Sequence, residues 1–369
     1  MSDPVREAVS EAVSAEATDP VTAPIRFPWA EPPAEGEAVE VAEGVLWMRL
    51  PLPMALDHVN VYAFADDDGA EGGWTIVDTG IDSRRSREIW RKLLAGPLAG
   101  RPVRRVIVTH HHPDHVGLAG WFKRDHGAEL VTTRTAWLFA RMLQLDEHMV
   151  PVDETLAYWR SAGMDEAIYE ERRAQRPFNF VDIVADMPLG FRRIKEGSRI
   201  RFGGRDWDVR IGNGHAPEHA TLWSRDCTLV IGGDQLLATI SPNLGVYATE
   251  PEADPVGDWL ESCERLGTFA DDRHLVLPGH KLPYTGLPTR IRQLIENHHG
   301  ALDRLTDFLA APRTAAECFP ALYGRTIGGE QYGLALVEAM GHLNHLYHAG
   351  LVTRERRGDG AYLWRRRGG

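Results

Sequence analysis

The sequence predicts an α/β protein in which a layered domain with a helical insertion is followed by a small C-terminal winged-helix domain. After Val39, short runs of β-branched and aromatic residues alternate with helical periodicity and a continuous apolar run, as in layered α/β domains. Helical patterns interrupt the strand signals at about residues 135–195 and dominate again after Thr289. A chain of 369 residues that is 43% hydrophobic can bury the cores of two such units.

The first 25 residues are predicted to form a disordered acidic tail. They mix Glu, Ala, Ser, Thr and Pro with little apolar periodicity. The layered domain is predicted to span residues 38–288, and the winged-helix-like domain residues 289–369.

Periodicity and turn residues place the individual elements. Strands are predicted at Val45–Leu52, Val59–Phe64, Trp74–Val77, Val103–Val108, Arg199–Ile211, Thr221–Trp223 and Thr228–Ile231. Helices are predicted at Ser83–Leu94, Thr135–Leu145, Glu154–Ser161 and Asp165–Gln175. The C-terminal region predicts helices from Thr289 to Leu309, near Thr314–Tyr323 and at Gln331–His348, then hairpin strands at Leu351–Arg356 and Ala361–Arg366.

The charge and the cysteines exclude several classes of protein. A formal charge of −12 and a pI near 5.7 argue against a protein that mainly coats nucleic acid or an anionic membrane. The three cysteines form no C-x-x-C pair, so they predict reduced, mostly structural thiols. No apolar run reaches the roughly 20 residues of a membrane span, and the first residues do not resemble a signal peptide. We expect a cytoplasmic protein without a membrane partner.

Metal-binding side chains are concentrated directly after the predicted strand Val103–Val108. The sequence there is Thr109-His110-His111-His112-Pro113-Asp114-His115, which places several potential ligands on a loop that the scaffold holds in position. The alternative interpretation is a solvated histidine-rich turn.

Three further segments favour a metal site over a solvated turn. His215 follows the predicted strand that ends at Ile211, Asp234 the one that ends at Ile231, and His280 a further predicted strand that ends at Leu277-Pro278. Each lies in a glycine-rich turn, where the backbone can approach closely. Taken singly, each histidine could be a structural residue and Asp234 a helix cap. Taken together, at the ends of strands, they are expected to converge.

This set of residues resembles the metallo-β-lactamase superfamily over residues 38–284. The resemblance rests on Asp78-Thr79-Gly80, the His110-x-His112-x-Asp114-His115 motif, His215, Asp234 and His280. It implies an αββα sandwich with two metal ions at one edge. His110, His112 and His215 would hold the first metal, and Asp114, His115 and His280 the second. Asp234 would bridge them, and Asp78 would brace the ligand loop; a turn aspartate is the alternative for Asp78.

The types of donor atom agree with a site for two metal ions. Five imidazoles and two carboxylates without a thiolate suit two Zn²⁺ ions, with Fe or Mn as alternatives. Such ions lower the pKa of water and polarise a carbonyl or phosphoryl group, which predicts a hydrolase. Asp114 and Asp234 are predicted to moderate the metal charge during catalysis, and Tyr284 to stabilise an oxyanion or bind a carboxylate.

The resemblance also narrows the branch of the superfamily. Antibiotic-degrading branches carry a cysteine at the bridging position or lack that ligand, and flavodiiron proteins replace the second motif histidine with Glu, so Asp234 and His112 argue against both. The sequence is most similar to the branch of lactamase-β-like protein 2 and glyoxalase II-like hydrolases, through His58-Val59-Asn60 and the predicted C-terminal winged helix. Mononuclear iron persulfide dioxygenases share the motif and stay an alternative.

Two regions bear on the substrate. The insertion carries apolar and amphiphilic side chains that could line an acyl pocket or could simply pack the insertion: Trp137, Met142, Met149, Tyr158, Trp159, Met164 and Tyr169. The predicted hairpin carries arginines that could bind RNA or coenzyme A, or lie on a solvated face or a homodimer contact: Arg354, Arg356, Arg357, Arg365, Arg366 and Arg367. Since no stripe of alternating aromatic and basic residues is seen near the motifs, hydrolysis of a small-molecule thioester, ester or lactone is the leading prediction, and cleavage of single-stranded RNA is second.

Overall fold

The structure is a computed structural model that describes residues 23–66 and 72–368 of the chain. Residues 1–22 of the predicted tail lie outside the described residues. Ile25, which the prediction also placed in the tail, packs against the core, and Arg26 pairs with Thr285. The boundary of the tail stays a prediction.

The first sheet begins as an antiparallel meander and continues as a parallel sheet. In the described chain it has seven strands in sequence order: β1 (Val39–Ala42), β2 (Val45–Pro51), β3 (His58–Asp66), β4 (Gly73–Val77), β5 (Val103–Ile107), β6 (Glu129–Thr132) and β7 (Arg192–Arg193). Strands β1 to β4 are antiparallel to their neighbours, and β4 to β7 run parallel. The parallel strands β4 and β5 therefore end at the same edge.

The second sheet has five described strands in the order β12-β11-β10-β9-β8. They are β8 (Arg199–Phe202), β9 (Arg205–Gly212), β10 (His219–Ser224), β11 (Leu229–Gly233) and β12 (Leu275–Pro278). Strand β10 is antiparallel to both β9 and β11, and β12 is parallel to β11. Strands β9, β11 and β12 consequently all run in one direction and end at one edge.

Helices cover the outer faces of the two sheets. They are α1 (Arg84–Ala95), α2 (Pro113–Val116), α3 (Ala119–His126), α4 (Arg134–Leu145), α5 (Asp153–Ser161), α6 (Glu166–Ala174), α7 (Pro255–Gly267), α8 (Leu287–Phe308), α9 (Phe319–Tyr323) and α10 (Tyr332–His348). Helices α1 and α3 pack on the first sheet and α7 on the second. A separate apolar core, with Trp47, Phe64 and Trp207, fills the space between the sheets. The predicted layered α/β fold is thus confirmed as a helix–sheet–sheet–helix sandwich.

Several elements were not predicted from the sequence. Helix α3, strand β6 and helix α7 lie in stretches where no element was predicted. Strand β7 falls inside the predicted helical insertion and pairs with β6. Its residues, Arg192 and Arg193, are both exposed, and a short charged edge strand resembles a loop in sequence.

The second half of the insertion packs with the C-terminal region. Tyr158, Met164 and Tyr169 lie in the same apolar core as Phe319 and Leu336. The C-terminal region contains the three predicted helices and a hairpin of β13 (Val352–Arg356) and β14 (Tyr362–Arg366). These elements match the sequence-based positions; the winged-helix assignment stays a prediction.

Two further expectations from the sequence concern membrane-spanning helices and the three cysteines. Within the described residues, no helix combines the length and apolar character that a membrane span requires. Cys227, Cys263 and Cys318 are free thiols, and the last two are buried, as expected for structural cysteines.

We predict that Trp207→Ala lowers the free energy of unfolding by about 3–5 kcal/mol, because it leaves a cavity between the sheets. Trp207 is fully buried and packs face to face on Phe202 at a centroid distance of 4.9 Å. Leu189, whose side chain is 80% exposed, provides the control: Leu189→Ala should stay within about 0.5 kcal/mol. Urea unfolding followed by tryptophan fluorescence and circular dichroism measures both, and equal losses would contradict the core assignment.

Candidate metal centre

The predicted ligand residues all lie where strands end at one edge of the sandwich. Asp78 follows β4, and the loop with His110 and His112 follows β5. His215, Asp234 and His280 follow β9, β11 and β12 respectively. The common direction of the strands within each sheet therefore brings together residues that are up to about 200 positions apart in sequence.

Three imidazoles form the first group. The Nε2 atom of His110 lies 3.0 Å from Nδ1 of His112, which lies 3.0 Å from Nε2 of His215. Nitrogen atoms of three imidazoles at this spacing could all bind one ion. These are the residues that the sequence assigned to the first metal.

The second group contains two imidazoles and a carboxylate. Oδ2 of Asp114 lies 3.4 Å from Nε2 of His115 and 3.3 Å from Nε2 of His280, and the three atoms could also bind one ion. Asp234 lies between the groups: its Oδ1 is 3.4 Å from His115, and its Oδ2 is 3.2 Å from His280 and 3.4 Å from His215. All seven predicted ligands therefore converge, and Asp234 lies between the two groups.

Two buried atoms show that the arrangement fits metal ions. Nε2 of His115 and Oδ1 of Asp234 find no hydrogen-bond partner in the described part of the chain, although both are buried. Leaving such atoms unsatisfied costs about 1–3 kcal/mol each, and metal coordination removes that cost. Gly279 leaves the necessary room, since a Cβ at this position would lie 2.1 Å from Oδ1 of Asp234 and 2.8 Å from the His115 ring.

Burial keeps part of the histidine cluster neutral. The pKa of His110 lies well below its usual value because the ring is buried and because His115 and His219 lie beside it. The pKa of His112 is lowered in the same way, by burial and by His215. Neutral imidazole is the form that binds metals.

The carboxylates stay ionised despite their burial. Burial by itself would raise the pKa of Asp234, but His280 and His115 outweigh it and hold that pKa well below its usual value; His115 and His280 act in the same way on Asp114. Conversely, burial opposes the charged form of His280, but Asp234 and Asp114 raise its pKa to about 10. The two carboxylates thus favour a positive charge at this position, either a proton on His280 or a metal ion.

Asp78 orients the ligand loop through several hydrogen bonds. Its Oδ2 lies 2.8 Å from Nδ1 of His115 and accepts from the hydroxyl of Thr109, while its Oδ1 accepts from the Thr109 main-chain N–H. The Thr109 hydroxyl in turn lies 3.0 Å from Nδ1 of His110. Because Nδ1 of His115 and Nδ1 of His110 each has a hydrogen-bond partner, Nε2 of each ring faces the ligand cluster. Asp78 holds a φ of 57°, an unusual backbone conformation that places its carboxylate beneath the loop.

Main-chain carbonyls orient two other rings. Nδ1 of His280 donates to the carbonyl oxygen of His58, and Nδ1 of His215 donates to that of Asn243. The loop that carries His280 is held by Asn60, whose side-chain amide donates to the carbonyl oxygens of Pro278 and Lys281. The sequence showed Asn60 as a mark of the resemblance but did not assign it this contact.

His219 is a component of the site that sequence analysis missed. Its Nε2 accepts from the main-chain N–H of Asp234, and its ring stacks on His110 at a centroid distance of 4.5 Å. It is fully buried at the start of β10, four residues after His215. That proximity was the available signal, but a histidine at a strand start is indistinguishable from a core residue without the fold.

The structure argues against the predicted substrate role of Tyr284. Its side chain is fully buried, and its hydroxyl donates to the carbonyl oxygen of Leu236. Burial also raises its pKa. A strand-like bridge to Val276 holds the tyrosine in the core rather than at the cleft, and this pairing is not visible in the sequence.

Most of the aromatic residues of the insertion pack internally. Tyr158, Met164 and Tyr169 are buried, and Trp137 and Trp159 pack against the core. Met142 and Met149 are 44% and 69% exposed. Helix α4 lies over the ligand loop, where Phe139 contacts His111 at a centroid distance of 4.9 Å. Its exposed residues Leu138, Met142 and Leu145 share one face, with exposures of 50%, 44% and 78%.

Acidic groups engage several of the hairpin arginines. Arg354 pairs with Glu252 and lies over the rings of Tyr347, Tyr362 and Trp364. Arg357 pairs with Asp359, and Arg366 with Asp307. These pairs reduce the positive charge that the hairpin could offer to a phosphate backbone.

Comparisons with known proteins agree with this geometry. The chain is 24% identical over 336 residues to the probable metallo-hydrolase YqjP of Bacillus subtilis (strain 168). The aligned region covers 87% of this chain and 98% of that protein. A solved β-lactamase domain protein from Burkholderia ambifaria is 37% identical, with a TM-score of 0.86 over 93% of this chain and 98% of its own. A metallo-beta-lactamase family protein from Thermus thermophilus is 28% identical, with a TM-score of 0.72 over 89% of this chain and 100% of its own.

Two family descriptions match consecutive parts of the sequence. Residues 302–367 match the metallo-beta-lactamase-like C-terminal domain. Residues 55–307 match the metallo-beta-lactamase superfamily itself, over the strands and loops that carry every ligand candidate. The sandwich, the convergent histidines and aspartates, and these matches together show that the chain belongs to the metallo-β-lactamase superfamily.

Proposed function

We propose that the protein is a dinuclear metal-dependent hydrolase of small-molecule thioesters or related esters and lactones. The observation that carries the proposal is the convergence of two ligand groups on the buried carboxylate of Asp234. Two complete groups that share a carboxylate favour two ions over one. Nitrogen and oxygen donors without a thiolate favour Zn²⁺.

The metals would supply the electrophilic part of the chemistry. When bound, two divalent cations at these groups polarise a carbonyl group and lower the pKa of water so that hydroxide is available at neutral pH. The chain's own residues make this arrangement rigid. Asp78 and Thr109 contact Nδ1 of His115 and His110, and Asp234 lies 3.4 Å from one ring of each group.

A thioester suits the surroundings of the site. A thiol has a pKa of about 8.5, so a thiolate can leave without a dedicated proton donor. Tyr284, which the sequence suggested for oxyanion stabilisation or carboxylate binding, is fully buried and so does not supply such a donor either. Helix α4 contacts the ligand loop through Phe139 and also carries an exposed apolar face that could take an acyl chain.

The pairing of the hairpin arginines makes an RNA substrate less favourable than a small molecule. At least three of them contact carboxylates, so the expected gain from counterion release is reduced. A mononuclear iron dioxygenase would use fewer of the seven converging ligands. The place of Asp234 between the two groups disfavours the mononuclear dioxygenase only, since a dinuclear ribonuclease would use the same ligands.

We predict that purified protein loaded with zinc contains two ions per chain and that Asp234→Ala lowers this content. The substitution removes the carboxylate shared by both groups, so thioester hydrolysis should fall by at least about a hundredfold. Metal analysis and turnover of acyl-CoA and glutathione thioesters measure the two effects. Asp303→Ala, which removes an exposed carboxylate on α8, is the control and should change neither.

The same panel distinguishes the alternatives. Full zinc content without hydrolysis of any thioester, ester or lactone would contradict the proposed function. Oxygen uptake with a persulfide by protein carrying one iron would support the dioxygenase instead. Salt-sensitive binding and cleavage of single-stranded RNA would support the endoribonuclease.

We predict that Asp78→Ala weakens metal binding by about 10–100-fold, because His115 loses the partner that fixes its ring. Asp66→Ala is a matched control. Asp66 is also a buried carboxylate that accepts two hydrogen bonds, from Thr75 and Gly203, but it lies at the opposite end of the first sheet. Zinc titration against a chelator should show a loss for Asp78→Ala only, whereas equal losses would indicate general destabilisation.

We predict that the double substitution Leu138→Ser and Met142→Ser lowers kcat/KM for long-chain acyl thioesters by about tenfold relative to acetyl thioesters. The reason is the loss of apolar contact area for the chain. Leu351→Ser changes an equally exposed leucine in the C-terminal region and should leave the ratio unchanged. A ratio that stays constant in the double variant would show that α4 does not bind the acyl chain.

A further inference from the structure

The segment Asn243–Val246 lies between the ligand cluster and the C-terminal helix α10. Leu244 and Val246 are buried in the core that α10 also forms. The main-chain N–H of Val246 donates to the carbonyl oxygen of Val337, which lies on α10. The segment is therefore docked on this helix by both apolar and main-chain contacts.

Asn243 adds polar contacts from the same segment to α10. Its side-chain amide donates to Oε2 of Glu338 at 3.0 Å and to the carbonyl oxygen of Leu334 at 3.2 Å. Oε2 of Glu338 also accepts from the hydroxyl of Tyr323, at 3.2 Å. Glu338 thus ties the asparagine to both α9 and α10.

Helix α10 approaches the segment unusually closely at Gly341. A Cβ at this position would lie 2.4 Å from the carbonyl oxygen of Leu244, a distance that no side chain could accept without movement of the segment. Glycine in the middle of a helix is less favourable than alanine, so the close approach comes at a loss in helix stability.

The same segment also contacts a candidate metal ligand, His215. The carbonyl oxygen of Asn243 accepts from Nδ1 of His215 at 2.9 Å, which leaves Nε2 of His215 directed at His112 and Asp234. An unbroken series of contacts therefore leads from α10, through Glu338 and Asn243, to the ring of His215.

We propose that Asn243 and Glu338 are positioning residues that set the orientation of His215, so that the C-terminal region takes part in forming the first metal group. This inference rests on the proposed role of His215 as a metal ligand. It assigns the C-terminal region a function in metal binding that is separate from the recruitment of any partner. The hydrogen-bond partner of a ligand histidine fixes its tautomer and ring orientation, and loss of such a partner typically weakens metal affinity about 10–100-fold.

The protonation state of the Glu338 carboxyl group guides the choice of variants. Burial raises the pKa of its carboxyl group to about 7, so both the protonated and the ionised forms are accessible at neutral pH. Glutamine resembles the protonated form and keeps an oxygen that can accept from Asn243 and Tyr323. Glu338→Gln is therefore the conservative variant, and Glu338→Ala removes the acceptor.

The test measures metal binding by the full chain. Co²⁺ is titrated into metal-free protein, and the visible absorption of each bound ion reports its site. Asn243→Ala and Glu338→Ala keep the main-chain carbonyl that accepts from His215 but remove contacts that fix its position, so one of the two Co²⁺ sites should weaken by about tenfold and change its spectrum. Glu338→Gln should restore affinity to within about threefold, and Asp303→Ala should match the unchanged chain. His215→Ala serves as the reference for loss of the ligand itself.

Each outcome decides between the inference and the proposed function. Unchanged Co²⁺ affinity in Asn243→Ala and Glu338→Ala, with a clear loss in His215→Ala, overturns the inference alone. Unchanged affinity in His215→Ala overturns the ligand assignment on which the proposed function rests. Equal weakening of both sites together with a lower unfolding temperature of the metal-free protein would mean a purely structural role. If Glu338→Ala fails to fold, Asn243→Ala decides, because the Asn243 side chain is partly exposed.

Discussion

The arrangement of the whole site depends on one buried carboxylate, that of Asp234. Its two oxygen atoms lie within 3.4 Å of imidazole nitrogens from three separate loops. An unpaired charge in that position would be very costly, so every neighbour must compensate it. The absence of a side chain at Gly279 and the hydrogen bond to His219 both serve to place this one group. Two cations would complete the compensation that the histidines begin.

The direction of the strands makes this convergence possible. Parallel pairing of β4 with β5, and of β11 with β12, ends each pair at a common edge, and the apolar core between the sheets holds the two edges together. The chemistry then lies on short loops whose ends are fixed by rigid strands. Such a site can vary its substrate through surrounding segments without disturbing the ligands.

Those surrounding segments come from two places in the chain. Helix α4 of the insertion contacts the ligand loop through Phe139, whereas the later helices of the insertion share a core with the C-terminal region. Through Asn243 that same core reaches His215. The elements added to the sandwich are thus physically continuous with the site, so substitutions far from the ligands can affect metal binding.

Sequence by itself determined the α/β class, most strands and helices, and all seven converging ligand candidates, because strand periodicity and a dense local motif are short-range signals. It missed α3, β6 and α7, and it misjudged β7, whose two exposed arginines resemble a loop. Only the tertiary structure shows that His219 stacks on His110, that Tyr284 is buried in the core and that Glu338 accepts a hydrogen bond from Asn243. These relations depend on which residues distant in the chain share a core or a sheet edge, and no local pattern of residues encodes that proximity.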